Sequence, residues 1–321
     1  MDVLSLSPAE AAALLYASHG IAARNFRALG SELASTFRAN SELGDLAVKI
    51  QRTNPVEASQ QLWRAEIAAH LTRSDHPVPA TVRTSAGALV GFGRVESEPS
   101  MDVAIIVTQW IDAAPYATLD LPASFGHILG HAAASLQLTL ADRPTPPHPI
   151  VHPWAAHTMA ETIQHHLTGT TLAEVHDAGA RALEIHTRHV APVAARLPWS
   201  LVHQDLHDDN VLATPDGHIA GIIDFDDMLV GWRVAEPAIA AAYFARTLGD
   251  PIAGVRAVAA GWDAVLSLTP AEHAALRPLA AMRLALNAVI WDSRSAGERQ
   301  GYAADRSRGS LPAFAAVASG L

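Results

Sequence analysis

Leu201-Val202-His203-Gln204-Asp205-Leu206-His207-Asp208-Asp209-Asn210-Val211-Leu212 sets a short polar loop between two apolar strand ends. Gly221-Ile222-Ile223-Asp224-Phe225-Asp226-Asp227 does the same: an apolar strand delivers an acid, Asp224, fourteen residues past Asn210. The pattern predicts a small β island with strands at Ser200–Val202, Val211–Ala213 and His218–Ile223, and a turn at Asp216-Gly217.

This inventory suits phosphoryl transfer. A nucleoside triphosphate is highly anionic, and its charge is offset by Mg²⁺ held on hard oxygen ligands. Asp224 at a strand end and the amide oxygen of Asn210 are candidate metal ligands. An attacking hydroxyl must be oriented and relieved of its proton, a role open to Asp205. Either motif alone reads equally well as turn and cap chemistry. Both in this order, each behind an apolar strand, point to the catalytic reading.

The residues match the H-x-D-x-x-x-x-N and D-F-x motifs of protein-kinase-like phosphotransferases. The loop resembles the aminoglycoside phosphotransferase and choline kinase superfamily more closely. Its first motif usually reads H-G-D-x-x-x-x-N and its second I-D-F or I-D-W. Ile222-Ile223-Asp224-Phe225-Asp226-Asp227-Met228, followed by Gly231-Trp232-Arg233-Val234-Ala235-Glu236, is similar to the hydroxylysine kinase branch. The resemblance runs from about residue 5 to residue 318 and is thin in the N-terminal half. It implies a bilobal α+β fold with an N-terminal antiparallel sheet lobe and a mainly helical C-terminal lobe. It also implies ATP or GTP as phosphoryl donor, and a structural role for His203 in tying the loop to the metal-binding segment. Gln204 and Asp226 stand where relatives usually have glycine.

Working outward, the first hundred residues read as strand-strand-strand-helix-strand-strand after an N-terminal helix. Ser7-Pro8-Ala9-Glu10 is a capping box, and Gly20 ends the helix. Strands are expected at Phe26–Leu29, Ala34–Ala39, Leu46–Ile50, Ala88–Val95 and Val103–Gln109, with a helix over Val56–Leu71. Lys49 in Leu46-Ala47-Val48-Lys49-Ile50 resembles the phosphate-contacting lysine of kinases; the plainer reading is a solvated edge-strand lysine. Glu66 is its expected partner, since a carboxylate among apolar neighbours wants one. Ser31, Ser35 and Thr36 offer hydroxyls to phosphates or serve ordinary turns. Gln109 and Trp110 fall where a hinge reads the base edge. The division expected is a nucleotide-cradling lobe over 1–109 and a catalytic, substrate-binding lobe over 110–321.

Beyond residue 110 the chain reads as helical: Leu121–Leu140, Ala155–Leu167, Leu172–Ala195, and nearly everything after the β island. The proline-dense stretch from Asp142 to Pro153 reads as a connection. Asp208, Asp227, Glu236 and Asp292 are candidates for a substrate ammonium group. Trp232, Arg233 and Trp291 are candidates to shape the pocket. Arg283, on an apolar helix, needs an acidic partner or an anionic ligand such as a substrate carboxylate.

Three functions follow. The first is a kinase for a hydroxyamino acid, with 5-hydroxylysine foremost. The second is a kinase for another small alcohol: homoserine, choline, a sugar or an aminoglycoside. The third is a nucleotide-binding pseudokinase, against which Lys49, Asp205, Asn210 and Asp224 speak together. Composition narrows the rest. The 321 residues are half apolar and 17% charged, with no cysteine, which excludes disulfides and fits a cytoplasmic protein. A formal charge of −10 argues against nucleic acid and anionic membrane as partners. MDVLSLSPAE lacks the basic region of a signal peptide. The 17 histidines are scattered without metal-ligand spacing.

Overall fold

The computed structural model describes residues 4–30, 34–96, 100–294, 307 and 309–321. They fall into two compact units: one runs to Asp112 and takes in Pro146–Pro149, the other comprises Ala113–Thr145 and Ile150–Leu321. The chain is α+β, with an antiparallel sheet in its N-terminal part and mostly helix in its C-terminal part.

In the first unit, α1 (Pro8–His19) begins at the Ser7–Glu10 capping box and ends at Gly20, whose φ of 68° is the left-handed conformation that favours glycine. Five strands follow: β1 (Arg24–Leu29), β2 (Ser35–Ser41), β3 (Gly44–Arg52), β4 (Gly91–Val95) and β5 (Met101–Gln109). They form one antiparallel sheet in the order β1-β2-β3-β5-β4. Helix α2 (Pro55–Arg73) starts from Asn54, whose side chain caps two backbone amides. Alternation decides the faces. Leu46, Val48 and Ile50 of β3 bury against Ala11 and Leu15 of α1, each worth roughly 1.5–3 kcal/mol on burial. The opposite face carries Ala104 and Ile106 of β5 against Ala65 of α2. Lys49 pairs with Ile106 across the ladder and so lies on that second face.

Strand β4 starts at Gly91, not at Ala88 as the apolar run predicts. The Ala88 amide donates to the Thr84 hydroxyl and the Ala88 carbonyl accepts from the Thr84 amide, closing a turn around Gly87 instead.

In the second unit, seven helices are described: α3 (Phe125–Leu140), α4 (Met159–Leu167), α5 (Ala173–Ile185), α6 (Ala235–Ala245), α7 (Pro251–Asp263), α8 (Pro270–Ser293) and α9 (Ser310–Val317). Helices α3 and α7 cross with almost no room between them. A Cβ placed on Gly130 would lie 2.0 Å from the Val258 carbonyl, and one on Gly261 would lie 2.0 Å from the His127 carbonyl. Helix α8 opens with a second capping box, Thr269 and Glu272. It is long and apolar enough to cross a membrane, yet 89% of its apolar window is buried inside the protein.

Two predicted features are corrected. The helix expected over Leu172–Ala195 gives way after Ile185 to a π turn, His186–Val190, just ahead of Pro192, which has no amide to continue a helix. The single β island is two small sheets. One joins β6 (Ala114–Pro115), β8 (Val211–Ala213) and β9 (Ile219–Ile222). The other pairs β7 (Trp199–Val202) with β10 (Leu229–Trp232), a strand in a stretch that reads as helical.

Candidate active site

Strand pairing brings the two motifs together. Val211 of β8 faces Ile222 of β9, and the Ile223 amide donates to the Asn210 carbonyl at 2.9 Å. Asn210 and Asp224 therefore leave neighbouring strand ends. His203, fully buried, ties the loop to the same segment: the Asp205 amide donates to its Nδ1 at 3.3 Å, so Nε2 carries the proton and donates to the Ile223 carbonyl at 3.1 Å. Burial holds its pKa below the usual histidine value, consistent with this neutral tautomer.

Asp205 is held on both oxygens. Its Oδ1 accepts from Arg283 Nη2 at 2.8 Å. Its Oδ2 accepts from Asn210 Nδ2 at 2.9 Å and faces His207 Nε2 at 3.2 Å. Burial opposes the charge on Asp205, but His207 and then Arg283 overcome it and hold the carboxyl well below the usual carboxylate range. With its amide hydrogens on Asp205, Asn210 keeps Oδ1 for another partner. That oxygen and the exposed Asp224 carboxylate are both hard donors of the kind a divalent cation takes.

His207 answers Asp205. Burial alone lowers its pKa, yet the neighbouring carboxylates push it up to about 10. The Asp209 amide also points at Nδ1, 3.0 Å away, an arrangement that requires Nδ1 unprotonated. Charging of His207 therefore goes with that amide turning away and Nδ1–H facing Asp208, whose Oδ1 is 3.6 Å distant.

Two residues of the site have left-handed backbones without being glycine: Gln204 at φ 71° and Asp224 at φ 62°. For Gln204 this gives a reason why similar loops carry glycine there. The strain is held by two hydrogen bonds and burial. The Gln204 amide donates to Glu236 Oε1 at 2.6 Å, its side-chain Nε2 donates to the Trp154 carbonyl at 3.0 Å, and the residue is fully buried. Burial pushes the Glu236 carboxyl up to about 7, against the pull of the Gln204 amide.

The profile of the phosphotransferase enzyme family (APH) matches residues 25–281. The chain belongs to this family. Over 92 residues, 27% of its length, it is 36% identical to the hydroxylysine kinase of Danio rerio. That match spans only 26% of the relative, about a quarter of its length. Two solved structures share the fold: an amicoumacin kinase in complex with AMP-PNP and Ca²⁺ (TM-score 0.66, 15% identity, 91% of this chain and 87% of that one), and a microcompartment-associated aminopropanol kinase (TM-score 0.63, 20% identity, 92% and 93%).

Several residues singled out from sequence have other partners. Arg283, 2% exposed, binds Asp205 and the Trp154 carbonyl, and stacks near the Trp154 and Tyr243 rings. Asp208, expected at a substrate ammonium, is 3% exposed and pairs with Arg246 at 2.7 Å. Asp227 faces His152 Nε2 at 3.2 Å. Asp292 accepts from the Thr171 amide and hydroxyl. Glu236 is engaged behind the loop. Trp232 is buried, with His157 and Trp199 packed near its ring, and Arg233 is paired with Glu272.

In the first unit, the Ser35 hydroxyl donates to the Leu4 carbonyl and accepts from the Leu6 amide. Its one proton is thus engaged, and it does not serve a phosphate. Ser31 lies outside the described residues. The Gln109 and Trp110 amides donate to the Ala80 and Asp45 carbonyls, so neither is left to read a base edge. The Trp110 ring lies under Arg38, 4.5 Å away. Glu66 is exposed while Ala65 and Ile67 beside it are buried, so its neighbours in sequence turn to the sheet and it does not. The argument from apolar surroundings therefore fails for it.

Sequence reasoning missed His207, Trp154, Tyr243 and Arg246. The H-x-D-x-H spacing is a signal for His207; the other three carry none, because their contacts lie far apart in the chain.

Proposed function

We propose that this protein is a kinase that moves the γ-phosphoryl group of ATP or GTP to the hydroxyl of a small amine-bearing acceptor, with 5-hydroxylysine the first choice. The observation that carries the reading is the Asp205 carboxylate, kept ionised and oriented next to an asparagine whose amide oxygen is left available. In this reading Asp205 receives the acceptor hydroxyl. The acceptor oxygen forms the new O–P bond, the β–γ bridging bond breaks with its electron pair leaving on the nucleoside diphosphate, and the hydroxyl proton passes to Asp205 and then to water. Asn210 and Asp224 would hold Mg²⁺, which when bound offsets the triphosphate's charge. Lys49 is assigned to the phosphates. The role of Asp205 is orientation more than strong base catalysis, since a carboxylate held so far down accepts a proton only as the transfer completes.

The local likeness to hydroxylysine kinase supports the acceptor. A second reading, an amino alcohol without a carboxylate, is favoured by Arg283: the cation reserved for a substrate carboxylate is engaged by Asp205. A screen of hydroxylated amines and amino acids with ATP and with GTP, following diphosphate release, separates them. Turnover of 5-hydroxylysine above 1-amino-2-propanol supports the first reading, and the reverse order replaces it with the second. Asp205→Ala should abolish transfer while Mg-nucleotide binding, read by calorimetry, persists. Normal turnover in that variant would remove the mechanism.

A further inference from the structure

A carboxylate offers about four lone-pair positions to donors. In Asp205 three are taken: Arg283 Nη2 sits on Oδ1, while Asn210 Nδ2 and His207 Nε2 sit on Oδ2. The side chain is still 17% exposed, and its one unfilled position is on Oδ1. Arg283 shares that oxygen and is itself held by further contacts. Its other terminal nitrogen donates to the Trp154 carbonyl at 3.0 Å, and its guanidinium lies 4.7 Å from the Trp154 ring and 5.4 Å from that of Tyr243. A planar fork can satisfy two acceptors at a fixed angle, which a lysine ammonium does not do.

We propose that Arg283 is a positioning residue that locks the Asp205 carboxylate so that the second lone pair of Oδ1 receives the acceptor hydroxyl. The proposal rests on the reading of Asp205 given above. It replaces the idea of Arg283 as a ligand for a substrate carboxylate. Donors on Oδ2 come from the loop itself, whereas Oδ1 is set from α8, a buried helix whose capping box and core packing fix its own place. The reactive oxygen is thereby referenced to the helical core, not to a loop.

The test compares Arg283→Met, Arg283→Lys and Asp205→Ala in the full chain, with 5-hydroxylysine, 1-amino-2-propanol and water as acceptors. Arg283→Met should lower kcat about 100-fold for every acceptor while acceptor KM changes less than about threefold, the pattern of lost orientation. A crystal structure of that variant should show the Asp205 carboxylate rotated, a readout that needs no turnover. Arg283→Lys should recover part of kcat and not all; if the methionine variant does not fold, the lysine variant carries the same readouts. An unchanged kcat, a KM rise confined to the carboxylate-bearing acceptor, or an unrotated Asp205 would overturn the proposal. Asp205→Ala separates the two claims. If it is inactive while Arg283→Met is fully active, only the role of Arg283 is lost; if it turns over normally, the reading of Asp205 itself is lost.

Discussion

Glu236 accepts the backbone N–H of Gln204 at 2.6 Å, joining the start of α6 to the residue just before Asp205. Its second oxygen is buried without a hydrogen bond. Burial lifts the carboxyl from its ordinary value near 4.5 to about 7. Between those two values the folded protein keeps a proton that the unfolded chain has released. Stability should therefore fall as pH rises from about 4.5 to about 7, by roughly 3 kcal/mol at most, and stay level above. Glu236→Gln should flatten that part of the profile. Urea midpoints of both proteins across this range check it; an identical gap between them at both ends shows that Glu236 does not titrate there.

His207 runs the other way. Its pKa is raised to about 10, so its pairing with Asp205 stabilises fully below the ordinary histidine value of about 6.5 and fades as pH climbs toward 10. The advantage of the unmodified protein over His207→Gln should shrink across that interval. Nitrogen NMR of the imidazole reads the charge directly. A neutral ring at about pH 8 would show that the Asp209 amide keeps its place on Nδ1 and that His207 is uncharged.

Asn210→Ala and Asp224→Ala should each reduce phosphoryl transfer by about 100-fold or more and raise the Mg²⁺ concentration needed for half-maximal rate. Acceptor KM should move little, because neither side chain is assigned to the acceptor. Initial rates over a Mg²⁺ titration decide this; a variant with unaltered Mg²⁺ dependence is not a ligand.

The crossing of α3 and α7 predicts a stability effect far from the chemistry. With a carbonyl 2.0 Å from the new methyl, Gly130→Ala or Gly261→Ala must force the helices apart, at a cost of about 3 kcal/mol or more. Thermal melts should show a drop of several degrees for either. A melt within a degree of the unmodified protein would mean that the crossing is looser than described.

What could be read from the chain depended on how local its physics is. The polar loop and its flanking strands were legible because apolar strands, turn residues and acids lie within a few positions of one another. The capping boxes at Ser7 and Thr269 were legible for the same reason, each needing only four residues. Strand β10 was not, since Leu229 to Trp232 is a strand only by pairing with β7, about thirty residues earlier. Arg283 announced a need for a partner but not its identity, because Asp205 lies 78 residues away. Glu66 failed through counting neighbours in sequence on a helix, where adjacent residues point about 100° apart. Ser35 was left open between phosphates and ordinary turns because its partners at Leu4 and Leu6 come from a segment with no periodic signal.

The left-handed backbone at Gln204 reverses an ordinary expectation about mutational scanning. Inside a helix or strand, glycine is usually the more damaging replacement and alanine the milder. At Gln204 both replacements lose the side-chain anchor to Trp154, but alanine keeps the steric penalty of its Cβ while glycine sheds it. A survey by alanine alone would thus exaggerate the worth of the glutamine, and the truer measure of its anchor is the glycine variant.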